Sequence, residues 1–129
     1  LEAWTRGSVW PGTGKVLGDW EDLEPRIEYV HQITGVYYSA RLGVLEHMDS
    51  MRRSGACLIW RDIGPEYWAP VGVWLIRETV REAMKLTPRQ FDSLKHAIDY
   101  VAPRVSAPDD LRNNWFVKRS RQTRLDSFA

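Results

Sequence analysis

Only one stretch of this chain reads as a β-strand, and the segments around it are patterned for helix. Ala56-Cys57-Leu58-Ile59-Trp60 is a short, continuous apolar run of β-compatible residues, as expected of a strand buried on both faces. It ends at the turn Arg61-Asp62-Ile63-Gly64-Pro65. A lone strand leaves its backbone N–H and C=O groups unpaired. It must therefore find a partner, either in the preceding arm, with Ser8–Trp10 as the candidate, or in polypeptide lying upstream. The expected fold class is α+β and helix-rich: one long helix, this short buried strand and about three further helices, with an irregular N-terminal arm.

The helices follow from periodicity. Glu24 to Arg53 place Ile27, Val30, Thr34, Tyr37, Arg41, Val44 and Met48 along one stripe at a spacing of about 3.6, with Tyr38, Leu42 and Leu45 beside it. This predicts one long helix, or two joined near Gly35, closed by Ser54-Gly55 after the basic pair Arg52-Arg53. Beyond the aromatic loop Glu66–Pro70, Val73, Ile76, Val80 and Met84 define a second helix running through Lys85. Thr87-Pro88-Arg89-Gln90 is patterned as a cap and first turn for a third, whose buried stripe is Phe91, Leu94, Ile98 and Val101 and which stops before Pro103. Ser106-Ala107-Pro108-Asp109 reads as a linker and cap for a short helix, Asp110 to Val117, with Leu111 and Trp115 one turn apart.

The ends are different in kind. Leu1 to Trp20 contain Gly7, Pro11, Gly12, Gly14 and Gly18, so residues 1–23 read as an irregular Trp- and Gly-rich arm pinned by Trp4, Trp10 and Trp20. The start at Leu1, without Met or any start signal, leads us to expect an upstream region continuous with this arm. Residues 24–117 form the expected helix-rich domain, and 118–129 a flexible, basic tail without a core pattern.

Composition excludes several classes. With 129 residues, 43% of them apolar, the chain supports one domain with a genuine core and little more. A formal charge of +1 supplies no whole-protein field toward a polyanion, so the local distribution of charge must decide. Cys57 is the sole cysteine, which excludes an intrachain disulfide and a thiolate metal cluster within the segment and makes a reducing cytoplasm the expected location. No apolar stretch approaches the roughly 18 residues of a membrane span, so no membrane partner is expected. His31, His47 and His96 lack a paired-ligand spacing, so no metal or other cofactor is expected in this chain.

The tail is the most informative segment. Gln122, Leu125 and Phe128 fall at i, i+3 and i+6, a spacing that a single 3₁₀ turn brings onto one side as a polar hook and two apolar anchors. This resembles the clamp-interacting motif of replication and repair proteins, the PIP box. There the Gln enters a small polar pocket while aliphatic and aromatic side chains fill a hydrophobic one. The usual form carries two adjacent aromatics, whereas here Ala129 occupies the second place. The resemblance implies the sliding clamp (PCNA) as partner, with Lys118, Arg119 and Arg121 approaching an acidic clamp face.

A wider resemblance runs through Tyr37-Tyr38-Ser39-Ala40-Arg41-Leu42-Gly43-Val44-Leu45-Glu46, then Ala56 to Asp62, then Gly64 to Trp74, followed by Arg77-Glu78. Together these resemble the C-terminal domain of the archaeal Nre DNA-repair family, best over residues 30 to 85. The resemblance implies a zinc-finger-bearing region upstream, a clamp-binding motif at the end of the chain, and a role in the repair of damaged DNA. It implies no catalytic residue, and any zinc site would lie in the upstream region.

The corner between strand and second helix gathers Arg61, Asp62, Glu66, Tyr67, Trp68, Trp74, Arg77 and Glu78, and such corners often form sites. In one reading Arg61 and Arg77 hold a phosphate near Gly72, Glu66 or Asp62 acts as base, and the chain is an enzyme acting on a nucleotide or damaged DNA. In the other, the arginines pair with Asp62 and Glu78 and the aromatics fill the core. DNA is a further candidate partner, through Arg52-Arg53, Arg112 and the tail cluster with Trp115 and Phe116 nearby, Arg119 and Arg121 being its central cations. Cys57 is expected to pack in the buried strand.

Overall fold

The computed structural model describes residues 1–4, 16–22, 24, 26–66 and 72–126, with side chains described through Gln122. The chain divides into two units, Leu1–Thr87 and Pro88–Ala129, each with its own core. The fold is α+β and helix-rich, as the periodicity predicts.

In the first unit a three-stranded sheet has the order β2-β1-β3, with β1 Glu2–Trp4, β2 Val16–Leu17 and β3 Arg61–Ile63. β1 lies in the middle, antiparallel to β2 (Glu2 opposite Leu17) and parallel to β3 (Glu2 opposite Arg61, Trp4 opposite Ile63). The expected strand does pair with the arm, but through Glu2–Trp4; Ser8–Trp10 lie outside the described residues. The strand itself is displaced. Its regular part is 61–63, not 56–60, because the short β1 fixes the register: the Leu1 nitrogen donates to Ile59 O at 2.8 Å and Arg61 N–H to Leu1 O at 2.9 Å, so pairing starts only there. Ala56 and Cys57 are consequently exposed, and the expectation that Cys57 packs in a buried strand is overturned.

Among the described residues this unit also holds two helices, α1 Thr34–Met51 and α2 Val73–Lys85. They share a core of Ala40, Val44, Ile76 and Val80, with Val36, Met48, Ile59 and Met84 packed against it. The stripes 36-40-44-48 and 76-80-84 each advance by four residues, so one ridge runs along each helix. At Gly43 the helices touch so closely that an added Cβ would stand 2.9 Å from Val80 Cγ1.

α1 is shorter than its periodicity predicts. Residues 24 and 26–33 are not helical, and Ile27 is fully exposed. The cause is a long-range cap. The Asp19 carboxylate accepts from the backbone N–H groups of His31, Gln32 and Ile33, the last at 2.7 Å, while Gly18 N–H donates to Gln32 Oε1 at 2.8 Å. These donors are held by the arm and not by a preceding turn, so the first helical bond runs from Tyr37 N–H to Ile33 O. At the other end the helix closes earlier than Ser54-Gly55. Arg52 takes the left-handed conformation (φ 52°), its N–H reaching Asp49 O and that of Arg53 reaching Met48 O, the two bonds of a Schellman closure made without glycine.

The second unit holds α3 Leu94–Val101, a 3₁₀ turn Ala102–Arg104, α4 Pro108–Asn113 and α5 Trp115–Asp126, around the buried residues Ile98, Ala102, Leu111 and Val117. α3 starts later than the Thr87-Pro88 signal predicts, because Ser93 Oγ accepts from His96 N–H and caps the helix there. The single helix expected over 110–117 is broken at Asn114, whose amide nitrogen donates to Leu111 O at 2.6 Å and whose Oδ1 accepts from Val117 N–H at 3.2 Å. One residue thus closes α4 and caps α5, and Val117, not Trp115, joins Leu111 in the core. From that cap the chain runs on without Gly or Pro, and the segment expected as a flexible tail is helical to Asp126.

Candidate functional site

α5 carries most of the residues singled out for partner binding. Its inner side is fixed by Val117 in the core and by Ser120 Oγ donating to Phe116 O at 2.9 Å. Lys118, Arg119, Arg121 and Gln122 are exposed. Leu125 lies in the last turn of α5 with its side chain outside the described residues, and Phe128 lies outside them altogether.

The residues of the strand-to-helix corner take separate partners. Arg61 sits directly across the parallel ladder from Glu2, and their side chains form an ion pair at 3.1 Å in which Glu2 is only 6% exposed. Asp62 is exposed and its carboxylate accepts from Trp60 Nε1. Glu66 is exposed, with its carboxylate folded back over Gly64, where an added Cβ would displace the far end of that side chain. Tyr67 and Trp68 lie outside the described residues.

Arg77 belongs to a different group, along the seam of α1 and α2. Its Nε lies 3.9 Å from Glu78, and it adds to the field that holds the Glu46 carboxyl below its usual range, an effect led by the hydrogen bond from Arg81. Arg81 joins both helices, donating to Glu46 from Nη2 and Nε and to Glu78 from Nη1. Among the described residues no group of three or more His, Cys, Asp or Glu side chains is placed to hold a metal ion, and no helix is long and apolar enough to cross a membrane.

A cluster outside the periodic stripes lies in the second unit. Tyr100, on the last turn of α3, packs against Phe91 with ring centroids 5.3 Å apart. Two guanidinium groups lie over the same tyrosine ring, Arg104 at 3.9 Å from its centroid and Arg89 at 4.6 Å, and Arg104 Nη1 also donates to Tyr100 O. Half of the cluster has a signal in the sequence: Tyr100 and Arg104 are four residues apart and share a helical face. The other half does not, because the Thr87-Pro88 signal places Arg89 and Phe91 in a helix that does not form there.

Comparison with known proteins gives a consistent family. The DNA repair protein NreA of Archaeoglobus fulgidus is 39% identical over 129 residues, covering 99% of this chain and 32% of its own length. The DNA repair protein NreA of Haloferax volcanii is 35% identical over 137 residues, and the DNA repair protein NreB of Archaeoglobus fulgidus 34% over 131. The chain therefore spans about a third of the length of the curated relatives it matches. No solved structure matches it. The model of the archaeal Nre C-terminal domain matches residues 21–128, and the chain belongs to that family.

Proposed function

We propose that the chain serves DNA repair and that its C-terminal segment recruits it to a sliding clamp of the PCNA class. The repair role is supported by the relatives, each named a DNA repair protein. The observation that carries the recruitment is the spacing of Gln122, Leu125 and Phe128 at the end of the exposed, basic helix α5. In an α-helix residues three apart drift by about 60° per step, whereas in a 3₁₀ turn they align. Docking thus asks the last turn of α5 to tighten, a change common at helix ends. Gln122 then supplies the polar contact, and Leu125 and Phe128 the apolar anchors. Ala129 in place of a second aromatic removes buried area worth about 1–3 kcal/mol, so micromolar affinity is expected. Lys118, Arg119 and Arg121 steer the approach to an acidic clamp face.

The rival reading, an enzyme with its site at the 61–78 corner, needs Arg61 and Arg77 to meet a phosphate together. Arg61 is engaged by Glu2 and Arg77 lies beside Glu78, so the corner supports it less well than the tail supports docking. Isothermal titration of the chain, and of its Leu125→Ala/Phe128→Ala variant, against the sliding clamp of the source organism tests the proposal. Micromolar binding that disappears in the variant supports recruitment. Absence of binding by the unaltered chain overturns it.

A further inference from the structure

The near-neutral charge of the whole chain hides an asymmetry. Leu1–Thr87 carries ten Lys and Arg against twelve Asp and Glu, while Pro88–Ala129 carries eight against five. In the second unit some of the cations are neutralised locally, Lys95 by Asp99 and Arg112 by Asp109. Arg89 and Arg104 are not: both are exposed, and among the described residues neither has a carboxylate at ion-pair distance.

Yet both are held in place, against the one ring of Tyr100. A single cation would satisfy that ring, and two like charges gathered on it repel each other, so packing alone does not account for the second. Each guanidinium carbon lies within cation–π range of the ring, a contact made through the ring's π face that uses up none of the N–H donors. The fork that grips a phosphate is thereby positioned before any ligand arrives, with little side-chain freedom left to lose. Arg104 uses one donor on Tyr100 O and keeps the others.

We propose that the Arg89–Tyr100–Arg104 stack is a phosphate-gripping surface for the DNA backbone. Arg89 and Arg104 engage successive phosphates of one strand, Phe91 backs the stack through Tyr100, and the exposed cations Lys118 and Arg121 of α5 extend the positive surface of the same unit. The grip is on phosphate, so binding is independent of base sequence and falls steeply with salt. The inference rests on the DNA-repair reading only for the identity of the polyanion, and it does not depend on clamp docking.

The test is fluorescence anisotropy of a short labelled DNA duplex titrated with the chain at several salt concentrations, for the unaltered protein, for Arg89→Gln/Arg104→Gln and for Arg89→Lys/Arg104→Lys. The Gln variant should bind on the order of ten-fold more weakly at a fixed salt, with a log–log salt slope shallower by about 2, near 0.9 for each phosphate no longer neutralised. The Lys variant keeps the charge but loses the fork, so it should recover the slope without recovering the full affinity. Lys85→Gln, in the first unit, should change neither. An unchanged salt slope in the Gln variant overturns the proposal, as does failure of the unaltered chain to bind duplex. Equally tight binding to poly-glutamate would also overturn it, by assigning the surface to an acidic protein. Clamp titration of the same variants should be unaltered, so failure of this inference and failure of clamp recruitment are read separately.

Discussion

At Tyr37 one side chain reports how the arm is fastened to α1. Its phenol is pushed up to about 12, chiefly by burial and then by the Glu21 carboxylate, to which its hydroxyl is hydrogen-bonded; Arg41 opposes this while pairing with Glu21. The folded protein therefore holds the Tyr37 proton more tightly than the unfolded chain, where a tyrosine titrates near 10. The associated stability is fully present below pH 10 and is lost as pH rises from there toward 12. Glu21→Gln removes the neighbouring negative charge but not the burial. Ultraviolet titration should then show Tyr37 ionising at lower pH than in the unaltered protein, though still later than an exposed tyrosine. An unchanged titration would mean that burial alone sets the shift and that the Glu21 contact does not form in solution.

At the scale of elements, α1 and α2 approach closely where Gly43 meets the buried Val80. Alanine there would gain about 1 kcal/mol of helix propensity, but its Cβ would stand 2.9 Å from Val80 Cγ1 and 3.2 Å from Val80 Cβ. Since Val80 is buried and stiff at its branched carbon, the helices must part, at about 1–3 kcal/mol. Urea unfolding should show Gly43→Ala less stable by about 1 kcal/mol net, while Gly55→Ala, with nothing within 4 Å, changes little or stabilises. The opposite order would place the two helices farther apart than described. α2 is legible from its sequence residue for residue because its stripe, Ile76, Val80 and Met84, depends on nothing outside the helix. α1 is legible only in its second half, because its start is set by Asp19 from the arm and its end by a left-handed arginine that no composition rule favours. The strand is legible in kind but shifted along the chain, since register belongs to the pair and β1 is hidden in a Gly-rich segment. Of the candidate site, the tail spacing is readable directly, while the Arg89–Tyr100 contact joins a loop to a helix and has no local signature.

For the whole molecule, the division into two units places both proposed partner surfaces in the smaller one. Its core comprises Ile98, Ala102, Leu111 and Val117, with Leu111 only 1% exposed. So short a helical unit has a small margin of stability, of the order of a few kcal/mol. Leu111→Ala, which costs about 2–5 kcal/mol at a site this enclosed, should therefore exceed it. Amide hydrogen exchange distinguishes two consequences. If the units are stabilised separately, protection vanishes from Leu94–Val101 and the core-facing turn of α5 while Thr34–Met51 stays protected, and the variant loses clamp and duplex binding together. If protection vanishes across α1 as well, the two units unfold as one cooperative body and the first depends on the second. The separate cores of the two units favour the first outcome. In that case α1, α2 and the sheet serve as the scaffold, and the segment from Pro88 onward can be weakened, or rebuilt around its arginines, without unfolding it.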